Sequence, residues 1–290
     1  MATGNTITGS LADSLETIVA SARNTRAYKG TMQQLVDRVT LNKNEGLDWK
    51  EILVAKMVAQ RITETTVLSN PQQYSDTAIT ITPTQIGIET FVSKRTKARI
   101  SKKTLAKMGS VPQAAMEIKI NADGLTQLDS FSNSHCGAGN TLTSGHISAA
   151  MSLITGNTTE PGESPFRCVL HPHQIKDLED ELTAAVGTYP ITAGQTAEVF
   201  KNGFKGMIAG AQIYEDGNIS IDSSTDAKGG VFAKNAIVYV QGMSPVVYTK
   251  FRPEVGGGGE SLYHYNEYAF GERLDTWGVE IYSDATQSTS

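Results

Sequence analysis

Two histidines separated by one residue, His171 and His173, are the nearest approach in this sequence to a catalytic or metal-binding pair. Alternate residues of a strand point to the same side of a sheet, so the two imidazoles could share a metal ion. Pro172 favours a turn between them, and a zinc site needs three or four protein ligands, of which the third is not found at a fixed spacing. A metal-dependent hydrolase using this pair and a carboxylate from the next helix is a minor alternative.

The acidic residues and the cysteines are weaker candidates for a catalytic site than the two histidines. Asp177 and Glu181 are one helical turn apart, but no apolar pocket is evident to raise either pKa, so they indicate a solvated helix face. Cys136 follows His135, yet a thiol nucleophile needs a base placed in space and a third group to orient it. The sequence identifies neither of these groups.

The glycine-rich segments do not match phosphate loops. Gly137–Gly139 lacks the third glycine and the preceding strand, and neither it nor Gly256–Gly259 is followed by Lys–Ser or Lys–Thr. The Gly-x-Ser-x-Gly elbow and the His-Glu-x-x-His helix are also missing from the sequence. No catalytic residue, metal ligand or cofactor site is predicted.

Composition favours an ordered globular protein. The 290 residues are 39% hydrophobic and 19% charged, with a net charge of −5, which argues against a nucleic-acid clamp. The N-terminus lacks the features of a signal peptide, and no apolar run is long enough to cross a bilayer. Cys136 and Cys168, the two cysteines, suggest a protein made in a reducing cytoplasm, without a disulfide framework.

The first sixty residues predict three short amphipathic helices. Their apolar stripes run from Leu11 to Ala22, from Met32 to Val39 and from Trp49 to Met57. Such helices cannot form a core by themselves, so we expect them to pack on the body of the chain or on a neighbouring copy.

Residues 61–93 predict a two-stranded arm. In Thr77–Thr82, Ile79 and Ile81 fall on one face and threonines on the other, and Pro71 interrupts the strand pattern. An isolated ribbon is marginal in water, so the arm is expected to lie on a partner surface, with Asn70, Pro71 and Tyr74 as contact candidates.

A basic segment follows the arm. Between Lys94 and Lys107 there are seven basic residues and no acidic ones. This pattern indicates either a solvated face or a strip that meets acidic surface on another subunit, or packaged nucleic acid. The contact candidates here are Lys94, Arg95, Lys97 and Arg99. A long helix is then predicted from Ser110 to Asp129, with Pro112 in its first turn.

The second half predicts mixed α/β structure and then strands. A buried strand, Phe166–Leu170, leads into a helix, and a helix starting at Thr143 precedes it. The segment from Asn202 to Asp216 is an apolar strand interrupted by glycine, where Gly206 and Gly210 indicate a bulge or a close backbone approach. Five strand-like runs end the chain. The order of elements predicts an α+β fold.

Taken together, these segments resemble the major capsid (major head) proteins of tailed bacteriophages, which share the Hong-Kong-97-like fold. The resemblance rests on the arm, on the long helix and on four sequences: FRCVLHPHQIKDL, GFKGMIAGAQIYED, VFAKNAIVYV and YAFGERLDTWGVEIYSDA, the last of which is marked by Gly271. Their order and spacing carry the resemblance, since each motif alone is weak.

The resemblance implies a division of the chain and a function. Residues 1–60 would form an N-terminal helical arm, 61–93 an extended loop, 94–140 a peripheral domain with its spine helix, and 141–228 an axial domain. Residues 229–290 would complete both domains with strands. Copies of the chain would form the hexamers and pentamers of an icosahedral virion shell around double-stranded DNA.

The same resemblance implies partners. DNA would be held by weak non-specific contact, with a portal and decoration proteins as further partners. A separate scaffolding protein is expected because the sequence has no room for a scaffolding segment before Leu11. Assembly would take place in the host cytoplasm, without a membrane. A bacterial nanocompartment (encapsulin-type) shell, which encloses enzymes, is the alternative within the same fold.

Overall fold

The computed structural model describes residues 5–6, 30–42, 46–66, 71–99, 102–186 and 206–287. Its helices are α1 (Met32–Leu35), α2 (Lys94–Arg99), α3 (Lys102–Thr126), α4 (Ser144–Thr155) and α5 (Pro172–Val186). The strands of the first half are β1 (Asn5–Thr6), β2 (Asp37–Thr40), β3 (Trp49–Val54), β4 (Asp76–Ile81), β5 (Thr84–Ser93) and β6 (Ser134–Cys136). Those of the second half are β7 (Phe166–Leu170), β8 (Met207–Ile208), β9 (Ala211–Glu215), β10 (Asp226–Ala233), β11 (Ile237–Arg252), β12 (Gly259–Glu272) and β13 (Gly278–Asp284).

A six-stranded sheet in the order β6-β13-β10-β7-β9-β8 forms the centre of one half of the molecule. Side chains alternate between its faces, so that Cys168 and Leu170 contact helices α4 and α5 while Val169 points to the other side. The apolar stripe of α4 is buried against this sheet, at Ile147, Ala150, Met151 and Ile154. Both faces of the sheet are therefore buried within one copy of the chain.

A five-stranded sheet in the order β1-β5-β12-β11-β2 forms the other half, alongside α3. At 25 residues, α3 is roughly 37 Å long. Side chains of α3, including Ile120 and Leu125, share a core with Phe232 of the first sheet and Tyr239 of the second. The long helix thus joins the two sheets.

A buried polar group fixes the start of this region. The carboxylate of Asp216 is fully buried and accepts hydrogen bonds from Thr31 Oγ1 (3.1 Å) and Asn121 Nδ2 (2.7 Å). Because a buried carboxylate must be hydrogen-bonded to be tolerated, this network holds the residues before α1 against α3.

Strands β3 and β4 form a separate antiparallel pair, with Trp49 opposite Ile81 and Val54 opposite Asp76. We call residues 49–81 the arm, and the two sheets with their helices the body. Among the described residues of the arm, a core is found only at the base, where Ile81 packs with Val238 and Val240 of β11, and Trp49 lies against them.

Two of the three N-terminal helices predicted from the sequence are corrected. The helix that starts at Met32 ends at Leu35, because Val36 is extended and Asp37–Thr40 pairs with β11 as a parallel strand. The segment predicted as a helix from Trp49 is strand β3, where Ile52 and Val54 are β-branched and pair with β4. The stripe from Leu11 to Ala22 lies outside the described residues.

The observed bounds of the arm and of the long helix also differ from the predicted ones. The arm was predicted over residues 61–93, but its paired strands are Trp49–Val54 and Asp76–Ile81. The alternating run that follows, Thr84–Ser93, belongs to the five-stranded sheet, where β12 pairs with it. Helix α3 begins at Lys102 rather than Ser110, so that Pro112 lies inside the helix.

The rest follows the sequence closely. Strand Phe166–Leu170 is confirmed at both ends, and α4 begins directly after its capping residue Thr143. The last strands merge into β10 to β13, and the α+β class is confirmed. Within the described ranges, every helix is too short or too polar to cross a bilayer.

Candidate assembly surfaces

The two histidines are close in space but are used by the local backbone. The rings of His171 and His173 have centroids 4.8 Å apart, and the backbone N–H of His173 donates to His171 Nδ1 (3.2 Å). Burial, and then the neighbouring His173, lower the pKa of His171. The described residues contain no group of three His, Cys, Asp or Glu side chains arranged to hold a metal ion.

The other candidates for chemistry have structural environments. Glu181 of α5 accepts hydrogen bonds from the backbone N–H (2.6 Å) and the hydroxyl (3.0 Å) of Ser144, which satisfies donors at the start of α4. The pKa of Cys136 is raised, first by burial and then by the carboxylates of Asp177 and Asp226. A thiol with a raised pKa is a poor nucleophile at neutral pH.

The arm, in contrast, is unprotected along most of its length. All residues of 52–66 and 71–78 are exposed. Apolar side chains are among the most open, at 65% for Ile52, 71% for Val58 and 77% for Tyr74. Exposed apolar side chains gathered on one element make the arm a candidate for contact with another molecule.

Hydrogen bonds nevertheless keep the two sides of the arm together. The backbone N–H of Ala55 donates to the carbonyl of Ser75 (2.8 Å), one step beyond the strand pairs. Further out, the Gln72 amide side chain both accepts from the N–H of Val58 (3.0 Å) and donates to its carbonyl. The described residues of the arm therefore form one ribbon from Trp49 to Val58 on one side and from Gln72 to Ile81 on the other.

The predicted contact residues lie in two separate places. Pro71 and Tyr74 are exposed on the arm, and Asn70 lies outside the described residues. The other four, Lys94, Arg95, Lys97 and Arg99, lie on helix α2 and are also exposed.

The arm and α2 lie at opposite ends of the five-stranded sheet. The end of β5 that leads into α2 pairs with the first residue of β12, Gly259, while the arm base packs on Gly271 near the end of the same strand. The twelve intervening steps of β12 span roughly 40 Å. The structure therefore does not bring the two groups of predicted contact residues together within one chain.

Lys97 differs from its neighbours on α2. Its ammonium group forms an ion pair with Glu260 (2.7 Å), with both side chains about half exposed. Within the described part of the chain, no ion pair is found for Lys94, Arg95 or Arg99.

A surface that the sequence analysis missed lies on β11 and β12. Tyr248 is opposite Tyr263 in the strand pair, and Tyr265 stacks with Tyr263 at 6.2 Å between ring centroids. The ring of Tyr265 lies over Gly87, where a Cβ atom would come within 2.8 Å of it. Tyrosines at alternate positions in the sequence YHYNEY were the available signal, because they share one face of a strand.

The three glycines predicted to be structural have different surroundings. A Cβ atom on Gly271 would lie 2.4 Å from Ile81 Cδ1, in the core at the base of the arm. Gly210 has a φ of +92° in the two-residue turn between β8 and β9, and a Cβ atom on it would find space. Around Gly206, no described atom is within 4 Å of a Cβ position.

Comparison with known proteins gives a clear result at the level of structure only. No family model and no curated protein sequence matches the chain. A chain of Mycobacterium phage Che8 superposes with a TM-score of 0.70 at 15% identity, covering 92% of this chain and 96% of that one. The mature capsid of bacteriophage PhiM1 gives 0.70 at 12% identity, covering 94% and 92%.

The architecture is therefore the Hong-Kong-97-like fold of tailed-phage capsid structures. The holo-SrpI encapsulin complex from Synechococcus elongatus PCC 7942 shares it, with a TM-score of 0.61 at 11% identity and coverage of 93% and 95%. This chain covers more than 90% of each of these three structures.

Proposed function

We propose that this chain is the major capsid subunit of a tailed bacteriophage, many copies of which form the hexamers and pentamers of an icosahedral shell around double-stranded DNA. The observation that carries the proposal is the arm. Its described residues form a ribbon whose apolar side chains beyond the base are exposed in the single chain, on a fold shared with capsid structures over more than 90% of both chains.

The positions of the arm and of α2 support closed assembly. The two surfaces differ in chemistry and lie at opposite ends of one sheet. Contacts between copies that use two different patches are heterologous, and heterologous contacts close into rings when the rotation allows. Hexamers and pentamers are rings of this kind.

The charge balance supports a container for DNA. The chain carries a net charge of −5, and the basic run without acidic residues is confined to the segment from Lys94 to Lys107. Because each phosphate contact strengthens DNA binding, a surface with few of them holds DNA loosely and lets it be packed and released. As part of the proposal, the subunit acts in the virion after assembly in the host cytoplasm, with a separate scaffolding protein, a portal and decoration proteins as partners.

An encapsulin-type shell is the second candidate, and the similarity to the SrpI complex favours it specifically. The two functions require the same assembly contacts and differ in what the shell encloses. The metal-dependent hydrolase has weaker support, since the histidine pair has no third ligand among the described residues.

Electron microscopy of the purified protein, combined with sedimentation and nucleic-acid analysis of particles from the producing cells, tests the proposal. We expect closed icosahedral particles, with DNA in those isolated from infected cells. Particles that hold protein cargo and no DNA would identify the encapsulin-type function instead. A protein that stays monomeric at every concentration and salt would contradict both.

A further inference from the structure

The packing of the two sheets does not account for one partly buried cluster of ion pairs. It is centred on Arg273, which directly follows β12 and whose side chain is 15% exposed. Its guanidinium forms ion pairs with Asp37 Oδ2 (2.9 Å) and Glu51 Oε2 (2.7 Å), and donates to the backbone carbonyl of Asn235 (3.0 Å).

The residues joined by Arg273 belong to different parts of the molecule. Asp37 begins β2 and Asn235 precedes β11, so both are in the body, whereas Glu51 is in the first strand of the arm. The guanidinium also lies 5.9 Å from the ring centroid of Trp49, the first residue of that strand. Planar guanidinium groups suit such fixed, multiple contacts because their donors form a rigid fork.

We propose that Arg273 is a positioning residue that fixes the direction in which the arm leaves the body, and so determines where the arm meets a neighbouring copy. The meeting itself rests on the proposed function, but the fixed direction does not. Beyond Glu51, the described part of the arm is exposed throughout residues 52–66 and 71–78, so its direction must be set at the base. Two contacts hold the base to the body. Ile81 of β4 packs in the apolar cluster, and Glu51 of β3 forms an ion pair with Arg273.

The geometry explains why a fixed base matters. A flexible arm must lose its orientational freedom at the moment of contact, which weakens association, whereas an arm that is already aimed avoids that cost. A small angular change at the base is also amplified along the arm. The six paired residues of each strand alone extend about 20 Å.

Arg273→Gln tests the proposal in the full-length chain below its assembly concentration. Two spin labels, at Thr65→Cys on the arm and Ala114→Cys on α3, report the arm direction in a Cys136→Ala background, because Cys168 is fully buried. Arg252→Gln is the matched control, since Arg252 also pairs with two carboxylates, Glu89 (2.8 Å) and Glu254 (3.1 Å), near the far end of the same sheet.

We expect the distance distribution between the labels to broaden at least twofold in Arg273→Gln and to match the parent in Arg252→Gln. Amide hydrogen exchange in Trp49–Val54 should quicken about tenfold, while exchange in β10 and the melting temperature of the body stay near the parent values. Arg273→Lys, which keeps the charge but loses the fork, should be intermediate. Unchanged distances in Arg273→Gln would overturn the proposal.

Assembly provides the second arm of the experiment. Arg273→Gln should need at least a tenfold higher protein concentration to form particles. If the arm loosens and particles still form at the parent concentration, arm direction does not govern assembly and the proposal is wrong in that part, while the capsid function stands. If the parent protein never forms particles, the capsid function fails, and the label distances still decide the role of Arg273.

Discussion

The six-stranded sheet and the arm are both β structure, yet they bury their side chains in opposite ways. In the sheet, Val231 and Phe232 point to opposite faces and both are fully buried, because helices cover one face and the shared core covers the other. In the arm, Ile52 and Tyr74 are mostly exposed. The first region is buried by apolar packing within one chain, whereas the described apolar side chains of the arm beyond its base are exposed to solvent.

This contrast separates folding from association. Changes in the sheet should act on the stability of the single chain, and changes in the arm should act on assembly. An arm variant that changed the stability of the single chain, or a sheet variant that changed assembly without changing stability, would contradict this distinction.

The largest effect is expected from deletion of Asn70–Asp76 at the outer part of the arm. The described residues of this segment are exposed and contribute nothing to the buried clusters, so the chain should stay soluble with an unchanged melting temperature. Particle formation, followed by sedimentation and electron microscopy, should be abolished. Particles of normal stability would show that this segment is not an intersubunit element.

Gly278→Val should act in the body. A Cβ atom there would lie 2.1 Å from Cζ of Phe131, a residue that is 4% exposed and packed in the core. Overpacking a core costs about 1–3 kcal/mol, and this contact is close enough to expect about 3 kcal/mol from urea unfolding.

A second variant identifies the cause. Phe131→Leu removes part of the ring that the new side chain would meet, so the cost of Gly278→Val should be smaller in that background. The same cost with and without the ring would show that backbone conformation, and not crowding, limits this position.

The body was also the region that the sequence predicted best. Four of the five residues of Phe166–Leu170 are apolar and buried, with the half-buried Arg167 between them, and Ile147, Ala150, Met151 and Ile154 follow the helical spacing. In such segments, local periodicity and final burial agree, because both are determined by the same core.

The prediction failed where apolar residues have a regular spacing but are not buried within the chain. Trp49, Ile52 and Leu53 have helical spacing, but they form a strand whose apolar side chains are largely exposed. Beyond Trp49, which packs at the arm base, no apolar core among the described residues covers this segment, so pairing with Thr77–Ile81 selects the strand. Arg273 was missed for a related reason: its partners, Asp37 and Glu51, are more than 200 residues away in the sequence.

Gly210→Val tests whether the turn between β8 and β9 contributes to the stability of the body. The sequence pattern suggested that crowding requires this glycine, but the nearest atom to a Cβ would be Met151 Cε, at 3.9 Å. The reason is conformational, since Ala209 and Gly210 both have positive φ, at 48° and 92°. The left-handed conformation costs an ordinary residue about 1–2 kcal/mol, which is the expected loss in unfolding free energy.

Two controls bracket that variant. Gly206→Val, where the described surroundings are open, should be nearly neutral. Gly210→Asn should lose less than Gly210→Val because asparagine tolerates the left-handed region. Equal losses for valine and asparagine would contradict the conformational explanation.

The smallest effect is expected from Glu272→Gln, at the end of β12. Burial, and then the nearby carboxylate of Asp275, raise the pKa of Glu272 to about 7. The hydroxyl of Ser130 donates weakly to its Oε2 (3.5 Å), and Oε1 is buried without a hydrogen-bond partner in the described part of the chain. The folded protein therefore holds a proton on this group that the unfolded chain, with an ordinary pKa near 4.5, releases.

The sign of the pH dependence follows from that difference. Between about pH 4.5 and 7 the folded state binds more protons than the unfolded state, so the stability of the wild type falls as the pH rises through this range. Glutamine does not titrate, so the variant should gain on the wild type by about 1 kcal/mol from pH 5 to pH 8, a modest amount because solvent screens a half-exposed carboxyl. Urea unfolding at the two pH values measures the gain. Because Glu272 lies in the body, hydrogen exchange in the outer arm should be the same in both proteins. A pH-independent difference in unfolding free energy would mean that Glu272 is already ionised in the folded chain.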